Sequence, residues 1–231
     1  MNYFDSILFP ENCYKYNSHG NAKDIVQLSH QEMIDFHQKY YHPSNGQAFC
    51  YGPESFVKDC LALLDPVLAD FTADPELRKA SQVAWQSKSR ISSDKAKIPY
   101  ASIEDTDDFR IAIAWLLNDA EMDAKTQVAW LLIEELLIGT RVAAISKVVA
   151  DLNLGEDVIG GLDTTSRQWS LILGVSGIRQ ELEATTAANA IHDKLLAIVE
   201  QGFSETALKA ALNKMEYKVC TFYFIGTVLT A

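Results

Sequence analysis

Residues 109–138 constrain the fold more than any other stretch. Phe109, Ile111, Ile113, Trp115 and Leu117 alternate at period 2, the pattern of a strand. Ala112, Ala114 and Leu116 occupy its other face, which predicts a sheet covered on both sides. Asn118-Asp119 turns the chain, and Asp123 is placed to cap a helix running to about Ile138. That helix is apolar on nearly every face, so it is expected inside a core, with Gly139-Thr140 closing it. Such a strand and helix can both be satisfied only in a layered globular domain.

The rest of the chain supplies the layers. Residues 1–28 read as loop, with turn formers at Pro10-Glu11-Asn12 and from Asn17 to Asn21. Ser29 and Glu32 have the spacing of a capping box, and Met33, Phe36, His37 and Tyr40 then form one helical face. His42-Pro43 ends that helix, because the residue before proline avoids the helical region. Gln47 to Tyr51 reads as a short strand stopped by Gly52-Pro53. A second helix carries Val57, Leu61, Leu64 and Leu68, with a break or kink expected at Asp65-Pro66. Residues 73–108 are polar and charged, and read as a linker with one or two short strands. Beyond Ile138 a helix is predicted over Val142 to Leu152, then strands over Asp157 to Gly161 and Gln168 to Gly174. Ala184, Ala188, Ile191, Leu195 and Ile198 form a helical stripe ended by Gly202. Ser204 caps a last helix bearing Leu208, Ala211, Leu212 and Met215. Strands and helices mix without strict alternation, which predicts an α+β fold.

Charge narrows the partners. Lys and Arg number 20 against 31 Asp and Glu, a net charge of −11. Such a chain is a poor phosphate binder, so nucleic acid is not an expected partner. The acidity serves solubility, with a basic ligand such as a cationic peptide as the alternative. No run of about 18 uncharged apolar residues occurs, so no membrane span is expected. The opening residues Met1 to Asp5 have neither signal-peptide nor transit-peptide character and resemble the interior of a domain.

Chemistry-bearing motifs are scarce. Cys13, Cys50, Cys60 and Cys220 include no CxxC pair and read as free thiols, with Cys50 in the core. His19, His30, His37, His42 and His192 include no HExxH or HxxxH pair. His37 reads as a packed or capping residue, and His42 as a hydrogen-bonded turn residue. Gly160-Gly161 reads as a turn. Glu134-Glu135 could suggest acid–base work, but neighbouring helix residues point about 100° apart, so a salt-bridged helix edge is the better reading.

Three stretches carry a resemblance. They are Leu8-Phe9-Pro10-Glu11-Asn12-Cys13-Tyr14 with Ser18-His19-Gly20, the Phe36-His37-Gln38-Lys39-Tyr40-Tyr41-His42-Pro43-Ser44-Asn45 block followed by Phe49-Cys50-Tyr51-Gly52, and Trp115 to Asp119. With the last go Leu136 to Thr140 and Gly202-Phe203 before Asn213 to Tyr217. Over about residues 6 to 218 the chain resembles the presequence protease subfamily of pitrilysin/insulinase-type zinc metallopeptidases.

The resemblance implies two homologous halves closing around a peptide-degrading chamber, each half holding two α+β domains. Zinc in that family sits on an H-x-x-E-H helix and a more distant glutamate, and the motif's glutamate is general base toward a zinc-bound water. This sequence has no H-x-x-E-H. By family order the motif would precede residue 1. Residues 1–72 are then the C-terminal part of a first metallopeptidase-like domain, 73–108 a linker, and 109–231 a second, non-catalytic domain. In that register Trp130, Ile133 and Glu134 fall where His, Glu and His would stand, and indole and aliphatic groups cannot bind zinc. Zinc is thus expected in the full-length enzyme and not in this stretch, and no catalytic or metal residue is nominated here. Peptide substrates and the missing N- and C-terminal halves of the polypeptide are the expected partners, and a mitochondrion or plastid the expected location. The rivals are a non-catalytic structural or binding subunit and a truncated, non-functional product. After Glu216 the chain turns apolar where the family stays polar. That tail reads either as a splicing or gene-prediction artefact or as a divergent terminal strand.

Overall fold

The computed structural model describes residues 3–87 and 108–228. Of the expected linker, 88–107 therefore lie outside the described residues. The chain divides into two compact units, Met1–Ala84 and Trp85–Ala231.

The first unit is helical among its described residues. The segment read as loop holds α1 (Tyr3–Leu8), a 3-10 turn at Cys13–Lys15 and α2 (Ala22–Ile25). These pieces are short and capped locally: Asn12 Oδ1 accepts from the Tyr14 amide at 3.0 Å, and Asn21 Oδ1 from that of Lys23 at 3.1 Å. Turn formers and helix caps are the same residue types, which is why they read as loop. The expected capping box opens α3 (His30–Tyr40). Ser29 Oγ accepts from the Glu32 amide, and Glu32 Oε2 accepts from the Ser29 amide at 2.8 Å. Those bonds hold the Glu32 carboxyl below its ordinary pKa.

Further expectations fail in this unit. Gln47–Tyr51 has no ladder partner among the described residues, so the predicted strand is absent. Of the break or kink expected at Asp65-Pro66, the break is absent: α4 (Glu54–Ala69) runs through Pro66. Proline removes only the amide bond to the Ala62 carbonyl, and the last turn still closes. Within the expected linker, α5 (Pro75–Ala80) is capped by Asp74, and the Asp74 amide donates to Ser44 Oγ at 2.8 Å.

The second unit is α+β. β1 (Phe109–Leu116), β2 (Asp157–Asp163) and β3 (Ser170–Ile178) form an antiparallel sheet in the order β1-β3-β2. Register pairs Ile111 with Val175, Ile113 with Leu173 and Trp115 with Leu171. The core gathers on that face, where Leu171, Leu173 and Val175 meet Leu137 of α6 (Ala124–Ile138), Ile145 and Val149 of α7 (Ala144–Asp151), and Ala187 and Ile191 of α8 (Glu181–Gln201). The predicted stripe on α8 thus faces the core, and Gly202 ends the helix at φ 73° as expected. The second layer of cover expected over Ala112, Ala114 and Leu116 is not among the described elements, and these residues stay half-exposed.

Gly160 and Gly161 lie inside β2, not in a turn. A Cβ on Gly160, at φ +114°, would strike the Ile172 backbone. Gly160 therefore marks close approach of two strands. The apolar tail does not form a strand either. α9 (Glu205–Val228) continues through it, because extending a formed helix carries no new nucleation cost. Ser204 Oγ caps its start, accepting from the Ala207 amide at 3.2 Å. No described helix is long and apolar enough to cross a membrane.

Candidate functional site

The C-terminal half of α6 carries Trp130, Ile133 and Glu134, the residues that the family resemblance is expected to place at the ligand positions. Asp123 starts the helix, its Oδ1 accepting from the Thr126 amide at 2.7 Å. That bond keeps the Asp123 carboxyl below its usual range. Trp130 and Ile133 are half-buried and pack against the core of the second unit. Glu134 Oε1 accepts from the Leu162 amide of β2 at 2.8 Å, so it joins helix to sheet. A Cβ on Gly161 would come within 2.7 Å of that oxygen, which is why the facing residue is glycine.

Glu135 has a different task. Its side chain is 10% exposed, and it meets Lys214 Nζ of α9 at 2.5 Å and Lys218 Nζ at 3.6 Å. Lys214 Nζ also donates to the Gly139 carbonyl at 3.0 Å, so a cation closes the negative end of α6. Gly139 is needed sterically, since a Cβ there would collide with Glu135. The expected salt-bridged helix edge is therefore Glu135 alone, and Glu134 is a strand-binding carboxylate.

Glu135→Ala is expected to destabilise the second unit by about 1–2 kcal/mol. Lys214, 40% exposed, recovers water once its partner is gone, which limits the loss. Glu135→Gln keeps an acceptor and is expected to cost less. Urea denaturation at low and high salt checks this, because the parent is expected to lose more stability than either variant as salt screens the pair.

The histidines are dispersed. His37, expected as a packed or capping residue, lies in the last turn of α3. It is exposed on α3 and stacks on Tyr41 with ring centroids 4.6 Å apart. His42 is the turn residue expected, its Nδ1 accepting from the Ser44 amide at 3.1 Å. His19, His30 and His192 are exposed. Cys50 is half-buried and not a core residue, and Cys60 beside it has a thiol pushed up by burial and then by Cys50. Among the described residues no group of three His, Cys, Asp or Glu stands together as a metal site. Zinc does not fit α6 on donor chemistry: two of the three positions offer no ligand atom, and an oxygen of the third is held by a strand amide.

Comparison with known proteins decides the family. Residues 27–215 match the sequence profile of the peptidase M16 inactive domain. The chain belongs to the M16 peptidase family. Presequence protease 1, chloroplastic/mitochondrial, of Arabidopsis thaliana is 30% identical over 218 residues, which are 92% of this chain and 20% of that protein. Protein HypA of Clostridium perfringens is 25% identical over 215 residues, and the mitochondrial presequence protease of Xenopus laevis likewise 25% over 215. Those matches take in 22% and 21% of the two relatives. The M16 chain thus spans about a fifth of the length of these relatives. Its resemblance to presequence proteases and its α+β fold both hold.

The sequence missed one polar centre in the second unit. Gln168, 1% exposed, accepts from the Gln86 amide and donates to the Gln86 and Asn118 carbonyls. No local pattern marks it, because its partners lie 82 and 50 residues away.

Proposed function

We propose that this chain is a non-catalytic portion of a zinc metalloendopeptidase that degrades targeting peptides and other short unfolded peptides. In this reading residues 1–72 close the first metallopeptidase-like domain, 73–108 link, and 109–231 form the second domain. The zinc, its ligands and the general base belong to polypeptide outside this stretch, and the chain alone is inactive. The observation that carries the reading is α6. Its ligand-register positions hold Trp130, Ile133 and Glu134, and they serve the core and the sheet. The inactive-domain profile over 27–215 and the presequence protease relatives support it. The relatives' mitochondrial and chloroplastic names support a location in one of those organelles.

The same use of both carboxylates in packing favours the second reading, a structural or binding subunit of the superfamily with no peptidase activity in the whole protein. A chimera separates the two. Residues 6–218 replace the matched fifth of the Arabidopsis relative, and cleavage of a cationic presequence peptide is measured with zinc content. The enzyme reading expects one zinc per chain and a rate within about tenfold of the parent, about 1.4 kcal/mol of barrier. The chain alone is expected to hold no zinc and to cleave nothing. Zinc binding or cleavage by the chain alone overturns the first reading. A folded chimera that binds zinc but does not cleave favours the second.

A further inference from the structure

Cys50 and Cys60 meet in the first unit, and the function proposed above makes no use of them. Their meeting follows from the Gly52-Pro53 turn. Three residues of extended chain lead back from Pro53 to Cys50, a path of about 10 Å. Seven residues lead forward from Pro53 along α4 to Cys60, a rise of about 10 Å. Folding the turn along the helix therefore brings the two cysteines level. Gly52 is folded in this way: a Cβ there would come within 2.8 Å of Phe56 Cδ1, in the first turn of α4. The Val57 amide donates to the Pro53 carbonyl at 3.1 Å, so the turn runs directly into the helix. At the ends of the two arms the thiols share a hydrogen bond. Both cysteines are half-buried, so packing holds them together while a small reagent still reaches them. Cys60 rides on a helix, whereas the described residues offer the 47–51 backbone no hydrogen bond. The Cys50 arm is thus the side that moves when the sulfurs close to the about 2 Å of an S–S bond.

We propose that Cys50 and Cys60 are a redox pair, which a low-molecular-weight disulfide such as oxidised glutathione closes into a reversible intramolecular bond. One cysteine thiolate attacks a sulfur of oxidised glutathione, whose S–S bond breaks and releases one glutathione thiolate. The second cysteine, as thiolate, attacks the mixed disulfide and displaces the other glutathione thiolate. Two protein thiols are oxidised to one disulfide, one glutathione disulfide is reduced to two thiols, and the two protons pass from the cysteines to glutathione. The product closes residues 50–60 into a ring and fixes the Gln47–Tyr51 arm on α4. It needs neither zinc nor the rest of the polypeptide.

The test is non-reducing peptide mapping of the full chain. The chain is equilibrated in glutathione buffers from reduced to oxidised, its free thiols are alkylated, and it is digested with trypsin. Lys58 lies between the two cysteines, so their bond joins peptide 40–58 to peptide 59–78. In oxidised glutathione the joined pair is expected to exceed any other cysteine pairing at least tenfold, and to disappear in reduced glutathione. Cys50→Ser and Cys60→Ser, made separately, leave no second thiol to displace glutathione. Each is expected to accumulate the glutathione adduct on its remaining partner at least tenfold above the parent. Cys13→Ser and Cys220→Ser are the controls, expected to leave the joined pair unchanged. Complete alkylation of both cysteines in the oxidised buffer overturns the proposal. So does a stable glutathione adduct on either cysteine of the parent without the joined pair. Joined peptides confined to covalent dimers assign the bond to two copies and overturn it as well.

Discussion

Leu173→Ala is expected to lower the stability of the second unit by about 3–4 kcal/mol. Leu173 sits on the central strand, is fully buried, and faces Ile113 on one neighbour and Gly160 on the other. Gly160 has no side chain with which to fill the space, and both flanking strands are held by backbone bonds, so the cavity cannot collapse. Tryptophan fluorescence during urea unfolding is the measurement. All four tryptophans, Trp85, Trp115, Trp130 and Trp169, lie in Trp85–Ala231, so the signal reports this unit alone. Val128→Ala on the exposed side of α6 is the control, expected within about 0.5 kcal/mol of the parent. Equal effects of the two would mean that the sheet face is not the core.

Gln168→Ala is expected to cost about 3 kcal/mol, because three backbone groups lose their partner at once. The Gln86 amide donates to Oε1 at 2.5 Å, and Nε2 donates to the Gln86 and Asn118 carbonyls at 2.8 and 2.9 Å. Asn118 completes the lock, its Oδ1 accepting from the Trp169 amide at 2.7 Å and its Nδ2 donating to the Ala120 carbonyl at 3.0 Å. Gln168→Glu tests the donors separately. A carboxylate there faces two carbonyls without a proton to give, so its folded pKa rises above the unfolded value. The variant is then close to the parent below the unfolded carboxyl pKa and loses stability as pH rises through and above it. Urea midpoints at acid and neutral pH read this, and a pH-independent loss would show that the amide only fills space.

Local signals were legible because their chemistry is local. Ser29 with Glu32, Asp123, Ser204 and Gly202 each act within four residues, and each stands where the pattern predicts it. The alternation of β1 and the stripe of α8 were legible for the same reason: a period records which face is buried. What failed was non-local. Gln47–Tyr51 has strand composition, but a strand exists only with a partner. Gly160-Gly161 has turn composition, but the neighbouring Ile172 backbone requires the first glycine and the Glu134 carboxylate the second. Pro66 carries a real cost that helix continuation outweighs.

The candidate site divides in the same way. That Trp130 and Ile133 offer no metal-binding atom is a property of their side chains, legible before any fold. The sequence by itself determined the family, the α+β class and the chemistry that α6 lacks. Only the tertiary structure decided how the two acids divide their work. A carboxylate's role depends on which donor reaches it: the Leu162 amide reaches Glu134, and Lys214, 79 residues away, reaches Glu135. No spacing in the chain encodes those distances, because packing sets them after the elements have formed.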